Sequence, residues 1–193
     1  MSKQKPDDYL TLVDPWTVEE RGTLLSTRVF KVRERVCTSP TNPNKSGTFV
    51  YLDTGDWVNV VALTDRREVV LIEQFRHGIA AVTLELPGGM VDAGEAPLAA
   101  ALRELKEETG YAGGTAEIIG VVTPNPAIVN NHCHTALVRG VTPGHGLHLD
   151  GNEEIGVRLA PLADIPDLIR RGLIHHSLVV AAFHHLTLFP GAV

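Results

Sequence analysis

Three glutamates crowd one side of a segment that is predicted to form a helix. Within PLAAALRELKEET, Glu107 follows Glu104 by three residues and Glu108 follows it by four. Like charges at helical spacing destabilise a helix by roughly 0.2–0.5 kcal/mol per pair. A bound cation would offset this repulsion, because Mg²⁺ prefers oxygen ligands and usually takes one or two carboxylates together with substrate phosphates. The spacing therefore points to a carboxylate metal site, with a solvated acidic helix face as the alternative.

The helix that carries these glutamates is predicted to span Pro97 to Thr109. Pro97 suits the first helical position, and Gly110 suits the residue after the last turn. Leucines recur at spacings of four and three, which predicts that they form one face turned to the core. These leucines are Leu98, Leu102 and Leu105. Glu104 and Glu108 are expected on the opposite side, with Glu107 beside them.

Two glycines precede this helix and close an extended segment, VTLELPGG. Gly88 and Gly89 lack a Cβ, so their backbone can approach a ligand closely. Glu95 then lies at the entrance of the helix. Carboxylates beside a glycine turn favour the metal-site interpretation over the solvated face.

The spacing of these residues resembles the Nudix box, GX5EX7REUXEEXGU. Gly89 is followed after five residues by Glu95, and after seven more by RELKEETGY, residues 103–111. Every fixed position matches, and only Tyr111 replaces the usual aliphatic residue at the end. Nudix enzymes hydrolyse a nucleoside diphosphate linked to another group X, with a divalent cation.

The resemblance implies a role for each residue of the box. Its implied metal ligands, for Mg²⁺ or Mn²⁺, are Glu104, Glu107, Glu108 and, through its carbonyl, Gly88. Glu107 is also a candidate for activating water, and Arg103 is expected to orient the glutamates. Gly89, Glu95 and Gly110 are expected to serve the structure of the box.

The residues around the box indicate which kind of group X the substrate carries. EQFRHG, residues 73–78, and LELPGGMVDAGE, residues 84–95, look like the ADP-ribose and nucleoside-diphosphate-sugar pyrophosphatase group. This resemblance marks Arg76, Glu85 and Pro126 as substrate-binding residues, and a forked guanidinium suits a diphosphate. That group usually has Ser-Pro-Gly followed by an acidic residue where this chain has Asn125-Pro126-Ala127, which is compatible with a broader diphosphate-sugar hydrolase.

Two further groups of residues are open to more than one interpretation. Glu153 and Glu154 match the position of a downstream catalytic glutamate, or else end a solvated loop. His132 and His134 point the same way from a strand and could hold zinc, but no second ligand pair has a diagnostic spacing. His176 could face the active site from the start of the last helix. Ordinary core or surface positions are the favoured interpretation of these histidines.

The pattern of elements predicts an α/β (α+β) layered domain, and the resemblance specifies the Nudix fold, a mixed β-sheet sandwiched between helices. Alternation in residues 16–36 and 48–63 predicts strands around loops rich in Pro, Asn and Gly. We expect a small N-terminal β extension over residues 1–55, used to form a homodimer, and a hydrolase domain over residues 56–193.

Composition restricts the partners of the chain. Among 193 residues, 44% are hydrophobic and the net charge is −6, which gives no support for binding nucleic acid or an anionic membrane. No apolar run approaches the ~20 residues of a membrane span, and the N-terminus lacks an apolar signal core. Two cysteines are too few for a disulfide framework and favour the reducing cytoplasm.

The sequence thus predicts metal-dependent hydrolysis of the diphosphate bond of a nucleoside diphosphate sugar. ADP-ribose is the favoured substrate, and the products would be a nucleoside monophosphate and a sugar phosphate. One alternative is a triphosphate pyrophosphohydrolase of the 8-oxo-dGTP kind. The other is a module that binds ADP-ribose without cleaving it, which the loss of a box carboxylate would favour, although none is lost here.

Overall fold

The computed structural model describes residues 12–149, 151, 154–189 and 191. These residues form two compact units. The first contains residues 12–54 together with Asn125–Asn130, and the second contains Gly55–Pro124 and the described residues from Asn131 onward. Residues 1–11 of the predicted N-terminal extension lie outside the described residues.

The first unit is an antiparallel sheet of three strands in the order in which they occur along the chain. Its strands are β1 (Thr17–Ser26), β2 (Lys31–Thr38) and β3 (Ser46–Asp53). Residues 125–130 pack with β3, since Leu52 forms a parallel bridge with Val129. Strand β1 is exposed along nearly its whole length, so this sheet leaves apolar side chains open to solvent.

The second unit is built on a larger mixed sheet. Its strands follow the order β11-β5-β4-β9-β8, and β6 pairs with β5 beside this path. Strands β4 and β9 are parallel, whereas β8–β9, β5–β11 and β5–β6 are antiparallel. The bounds are β4 (Trp57–Leu63), β5 (Glu68–Arg76), β6 (Ala81–Glu85), β8 (Thr115–Val122), β9 (Cys133–Arg139) and β11 (Ile155–Pro161). A two-stranded ladder joins β7 (Tyr111–Ala112) to β10 (Thr142–Pro143).

Helices cover both faces of the mixed sheet, as the predicted fold class requires. Helix α1 (Pro97–Thr109) packs on one face and α3 (Ser177–Leu188) on the other, with the short α2 (Ile165–Arg170) before it. Alternate residues of strand β4 pack against opposite helices. Both faces of the strand are therefore apolar, and its sequence is the nearly continuous apolar run WVNVVAL. Val60 and Ala62 contact the α1 side, and Val61 and Leu63 contact the α3 side.

The buried face of α1 differs from the predicted one. Leu105 is fully buried and Leu98 packs against the same core cluster, but Leu102 is 39% exposed, so the predicted face is wrong at Leu102. Ala100 and Ala101 occupy the contact instead, and their small side chains let the helix lie close to β4. Glu108, expected on the side away from the core, is only 5% exposed and faces the sheet.

The segment between β6 and α1 runs along the edge of β4. Val60 N–H donates to the Pro87 carbonyl and Val58 N–H to the Gly89 carbonyl, both at 2.9 Å. A Cβ on Gly88 would lie 2.0 Å from the Val58 carbonyl oxygen, so this close approach admits only glycine. The segment is thereby fixed beneath the helix that carries the glutamates.

No helix in the described part of the chain has the length and apolar composition that a membrane crossing requires.

Candidate functional site

The carboxylates of α1 meet the backbone of the two glycines. Gly88 N–H donates a hydrogen bond of 2.8 Å to Glu108 Oε2. A Cβ on Gly89 would lie 2.4 Å from Glu104 Oε1, so that carboxylate rests directly against the glycine backbone. The helix supplies the oxygens and the glycine segment supplies the surface on which they assemble.

The backbone of Gly88 lies between two residues whose carbonyls bind β4. The Pro87 and Gly89 carbonyls accept hydrogen bonds from Val60 and Val58, whereas Gly88 N–H binds Glu108. The role of the Gly88 carbonyl as a cation ligand stays a prediction. It would add a neutral oxygen donor to the carboxylates of the helix.

Arg103 organises the carboxylates around it with all five of its N–H donors. Nε and Nη2 bind the two oxygens of Glu95, at 3.1 and 3.0 Å. Nη1 binds Glu104 at 2.8 Å and Glu107 at 3.1 Å, and Nη2 also reaches the Met90 carbonyl at 3.1 Å. A guanidinium has five such donors and no more, so this side chain is fully used in holding the box together.

The ionisation of this cluster follows from the same contacts. Hydrogen bonds to Glu95 first, and then to Glu104 and Glu107, raise the pKa of Arg103 against the effect of its burial. The hydrogen bonds from Arg103 lower the pKa of Glu95. The central guanidinium therefore stays charged, and the carboxylate at the entrance of the helix stays ionised.

The donor set fits a hard divalent cation in its chemistry. It offers carboxylate oxygens from Glu104 and Glu108 and the carbonyl of Gly88, which are the ligand types that Mg²⁺ and Mn²⁺ take. Within the described ranges, no three His, Cys, Asp or Glu side chains are already arranged to hold an ion. Arg103 and Gly88 N–H bind these carboxylates in this structure, so a cation would enter by exchange with those partners.

A second charged cluster lies just before the glycines in the chain. Arg76, at the end of β5, binds Glu85 with two hydrogen bonds, Nε to Oε1 at 2.9 Å and Nη2 to Oε2 at 2.7 Å. Thr83 Oγ1 donates a third, of 2.6 Å, to Glu85 Oε1. Glu85 is three residues before Gly88, so the Cα atoms of these two residues are at most about 11 Å apart.

The Arg76–Glu85 pair is buried at one end and open at the other. The Glu85 side chain is 1% exposed, whereas that of Arg76 is 43% exposed. Burial works to raise the pKa of Glu85, but hydrogen bonds from Arg76 and Thr83 outweigh it and the pKa is lowered. The buried carboxylate thus fixes in place a guanidinium that is itself partly exposed to solvent.

The other predicted site residues fall in different places. Glu154 is exposed and directly precedes β11, whose first residue pairs with Gln74, close to the Arg76 end of β5. Pro126 is an exposed residue of the first unit. Gly110 ends α1 in the left-handed conformation, with φ of 69°. Glu153 lies outside the described residues, and the catalytic roles of Glu153 and Glu154 stay predictions.

The zinc alternative for His132 and His134 gains no support. Asp56 accepts the His132 backbone N–H at 2.8 Å and lies 2.9 Å from His134 Nε2. These contacts tie the start of β9 to the residue before β4. Burial acts to raise the pKa of Asp56, but the hydrogen bonds to both histidines lower it overall.

Sequence reasoning missed two groups at the site. Thr83 binds Glu85, and the spacing of two between them places both on one face of a strand, which could have revealed the contact. The Met90 carbonyl binds Arg103, and no sequence pattern marks a backbone carbonyl of this kind.

Comparison with known proteins agrees with this geometry. A family profile described as the NUDIX domain matches residues 54–183. The chain is 31% identical over 163 residues to a protein of Mus musculus named ADP-sugar pyrophosphatase, covering 77% of this chain and 71% of that one. It is 29% identical over 132 residues to the ADP-ribose pyrophosphatase of Bacillus subtilis (strain 168), covering 68% and 71%. A solved structure titled ADP compounds hydrolase superposes with a TM-score of 0.82 at 21% identity, covering 95% of this chain and 100% of that one, which shows a shared fold.

Proposed function

The chain belongs to the Nudix family, and from this premise we propose that it hydrolyses the diphosphate bond of a nucleoside diphosphate sugar, with ADP-ribose as the favoured substrate. The observation that carries the proposal is the assembly of the box carboxylates on the Gly88–Gly89 backbone, three residues after the Glu85 that holds Arg76. Relatives named ADP-sugar and ADP-ribose pyrophosphatase support the same substrate class. The products are a nucleoside monophosphate and a sugar phosphate.

The box residues provide the cation site of this proposal. Glu104, Glu107, Glu108 and the Gly88 carbonyl would hold Mg²⁺ or Mn²⁺, which supplies positive charge against the phosphate oxygens and makes water more acidic. Arg103 keeps the carboxylates at one place and prevents their mutual repulsion from separating them. Catalysis then rests mainly on positioning and on electrostatic stabilisation.

Arg76 and one glutamate complete the proposed mechanism. Arg76 supplies a positively charged guanidinium to the diphosphate, and its two hydrogen bonds to Glu85 fix its orientation. Water attacks one phosphorus atom, the bridging P–O bond breaks, and a carboxylate accepts the proton of the water. Glu107, Glu153 and Glu154 are the candidates for this acceptor, and replacing each by glutamine, followed by measurement of kcat, decides among them.

A substrate panel tests the proposed function. Purified protein would be incubated with Mg²⁺ and, separately, ADP-ribose, GDP-mannose, UDP-glucose, NADH, diadenosine polyphosphates or 8-oxo-dGTP, and phosphate would be read after a phosphatase is added. We expect cleavage of ADP-ribose or another diphosphate sugar, and its loss when EDTA removes the cation. Turnover of 8-oxo-dGTP alone would replace the substrate assignment, and binding of ADP-ribose without cleavage would identify a sensing module instead.

The contact between Gly89 and Glu104 gives a sharp prediction for Gly89→Ala. The new Cβ would displace the Glu104 carboxylate, which is the far end of a flexible side chain and can move. We expect kcat to fall about 10-fold or more, while Tm, read by differential scanning fluorimetry, changes by less than about 4 °C. Gly156→Ala is the control, because its Cβ would meet only Glu73 Cβ at 3.8 Å. Equal kcat in the two variants would show that the position of Glu104 does not matter.

We propose that residues 1–55 form the dimerisation region and residues 56–193 the hydrolase domain. The support is the exposure of large apolar side chains on the three-stranded sheet of the first unit. They include Val18, Leu24, Leu25, Phe49 and Val50, each 49–59% exposed. A second copy of the chain that covered them would remove this apolar area from water, which is favourable by ~25 cal/mol per Å².

The mass in solution checks the dimer. Light scattering after size exclusion should give twice 20.9 kDa for the wild-type chain. Leu25→Glu should shift the mass toward that of the monomer, because it places a charge in the proposed interface. Leu188→Glu changes a leucine of α3 that is exposed as well, at 67% against 56% for Leu25, and should leave the dimer intact. A monomeric wild-type chain would rule the proposal out.

We also propose that the chain works in the cytoplasm. Cys37 and Cys133 are both free, and burial raises the pKa of Cys133 to about 12, so its thiol is inert. Free thiols suit a reducing compartment. Fractionation of cells that express the tagged chain would test this location.

A further inference from the structure

His176 faces the Arg76–Glu85 pair from the start of α3. Its Nδ1 lies 3.6 Å from Glu85 Oε2, just beyond hydrogen-bond distance. That nitrogen is buried and has no hydrogen-bond partner. A buried polar atom without a partner is costly, so its position beside a buried carboxylate calls for an explanation.

We propose that His176 is a positioning residue that takes up a proton when the substrate diphosphate binds to Arg76. The inference rests on the proposed function, because it concerns the same Arg76. Glu85 is a fully buried carboxylate whose charge is offset by the guanidinium of Arg76. When an anionic diphosphate binds that guanidinium, the diphosphate offsets part of the positive charge that stabilises the Glu85 carboxylate. A protonated His176 then supplies the second positive charge and keeps Glu85, and through it Arg76, in place.

The charges around His176 fit this role. Glu85 faces it from β6, Arg76 from β5, and His175 from the preceding position in its own chain segment. Burial first, and then the nearby Arg76 and His175, lower the pKa of His176, whereas Glu85 raises it. Without substrate the imidazole is therefore neutral near pH 7. Of the two partners in the pair, Glu85 already acts more strongly on His176 than Arg76 does, and weakening the influence of Arg76 favours the protonated form further.

Proton uptake on binding predicts a pH-dependent KM with a definite sign. Below the pKa of free His176 the imidazole is already charged, so binding is tightest there. As pH rises through the window between the free and bound pKa values, the proton must be taken up at increasing cost, and KM increases. The diphosphate keeps its charges throughout this window, so its own titration does not contribute.

The kinetic experiment compares wild-type protein, His176→Gln and His175→Gln with ADP-ribose at saturating Mg²⁺. For the wild-type protein we expect KM to rise about 5–10-fold between roughly pH 5.5 and 8, since one pKa unit corresponds to tenfold in affinity. His176→Gln cannot be protonated, so its KM should vary less than about twofold between pH 5.5 and 8. His175→Gln leaves His176 titratable, so its KM should still rise with pH, with the rise moved slightly to higher pH because His175 lowers the pKa of His176. An unchanged rise of KM in His176→Gln would overturn the inference.

A second measurement does not depend on catalysis. The His176 imidazole would be titrated by NMR and assigned by its absence from the His176→Gln spectrum. We expect its pKa to lie below 6.5 in the wild-type protein and to rise both in Arg76→Gln and when ADP-ribose binds. If the pKa of His176 is the same in Arg76→Gln and with ADP-ribose bound as in the free wild-type protein, His176 is not coupled to the Arg76–Glu85 pair. If no diphosphate sugar is hydrolysed the proposed function fails, while the Arg76→Gln titration still decides whether His176 is coupled to Glu85.

Discussion

Replacing Glu108 by glutamine is expected to lower kcat by about 100-fold or more while leaving the protein folded. Glutamine has the same shape, and its carbonyl can still accept the hydrogen bond from Gly88 N–H. What it loses is the negative charge, and hard cations bind anionic oxygens far better than an amide. Loss of one well-placed electrostatic group at a reacting centre typically costs 10²–10³ in kcat.

The measurement combines kinetics, cation binding and stability. Initial rates with the substrate found in the panel give kcat, and the paramagnetic resonance of free Mn²⁺ gives the binding of the cation. Tm should remain within about 4 °C of the wild-type value, because the exchange costs about 1 kcal/mol. Glu117→Gln is the matched control, since it removes the same charge from a carboxylate on β8 that binds Arg139. A wild-type kcat in Glu108→Gln would mean that the metal site lies elsewhere.

Replacing Arg103 by lysine should lower both activity and stability. Lysine keeps the positive charge but has three donors in place of five and lacks the planar fork. It can therefore hold Glu95, Glu104 and Glu107 at most singly, and the carbonyl of Met90 loses its donor. We expect kcat/KM to fall 10–100-fold, as when residues that orient metal ligands are removed.

The loss of stability should be measurable in the same variant. The Arg103 side chain is 29% exposed, so its hydrogen bonds to carboxylates are partly shielded from water. We expect the free energy of unfolding to fall by about 2 kcal/mol, which corresponds to a fall in Tm of roughly 4–8 °C for a chain of this size. Arg158→Lys is the control. Arg158 lies on β11, its side chain is 60% exposed, and its Nε binds Glu73 at 2.7 Å. Such exposed pairs contribute about 0–1 kcal/mol, so equal effects in the two variants would contradict the orienting role of Arg103.

Local patterns in the sequence predicted most elements of the fold. Pro97 and Gly110 mark the ends of α1, and the structure ends that helix at the same residues. Alternation in residues 16–36 and 48–63 located the three strands of the first sheet and the central strand β4 of the second. These features are predictable because helix caps and hydrophobic periodicity depend on residues that are close together in the chain.

The side of α1 that enters the core could not be predicted in this way. Leucine spacing favoured a face containing Leu102, but close packing of Ala100 and Ala101 on β4 turned the helix so that Glu108 is buried. Helix rotation is decided by the shape of the partner surface, and no residue within the helix encodes that shape. Gly88 allows its own segment to lie close to β4. The need for glycine at this position becomes clear only once the Val58 carbonyl is known to lie against it.

What the sequence alone determined is the set of chemical groups and their local order: the box from Gly89 to Tyr111, the family it resembles and the carboxylates it supplies. Only the tertiary structure decided which distant groups meet. It joined Arg76 to Glu85 across a hairpin, brought His176 from the last helix beside them, and placed Glu108 against Gly88. The reason is physical: spacing along the chain fixes contacts within one helix or strand, whereas contacts between elements follow from strand register and from packing of the two helices on opposite faces of the sheet.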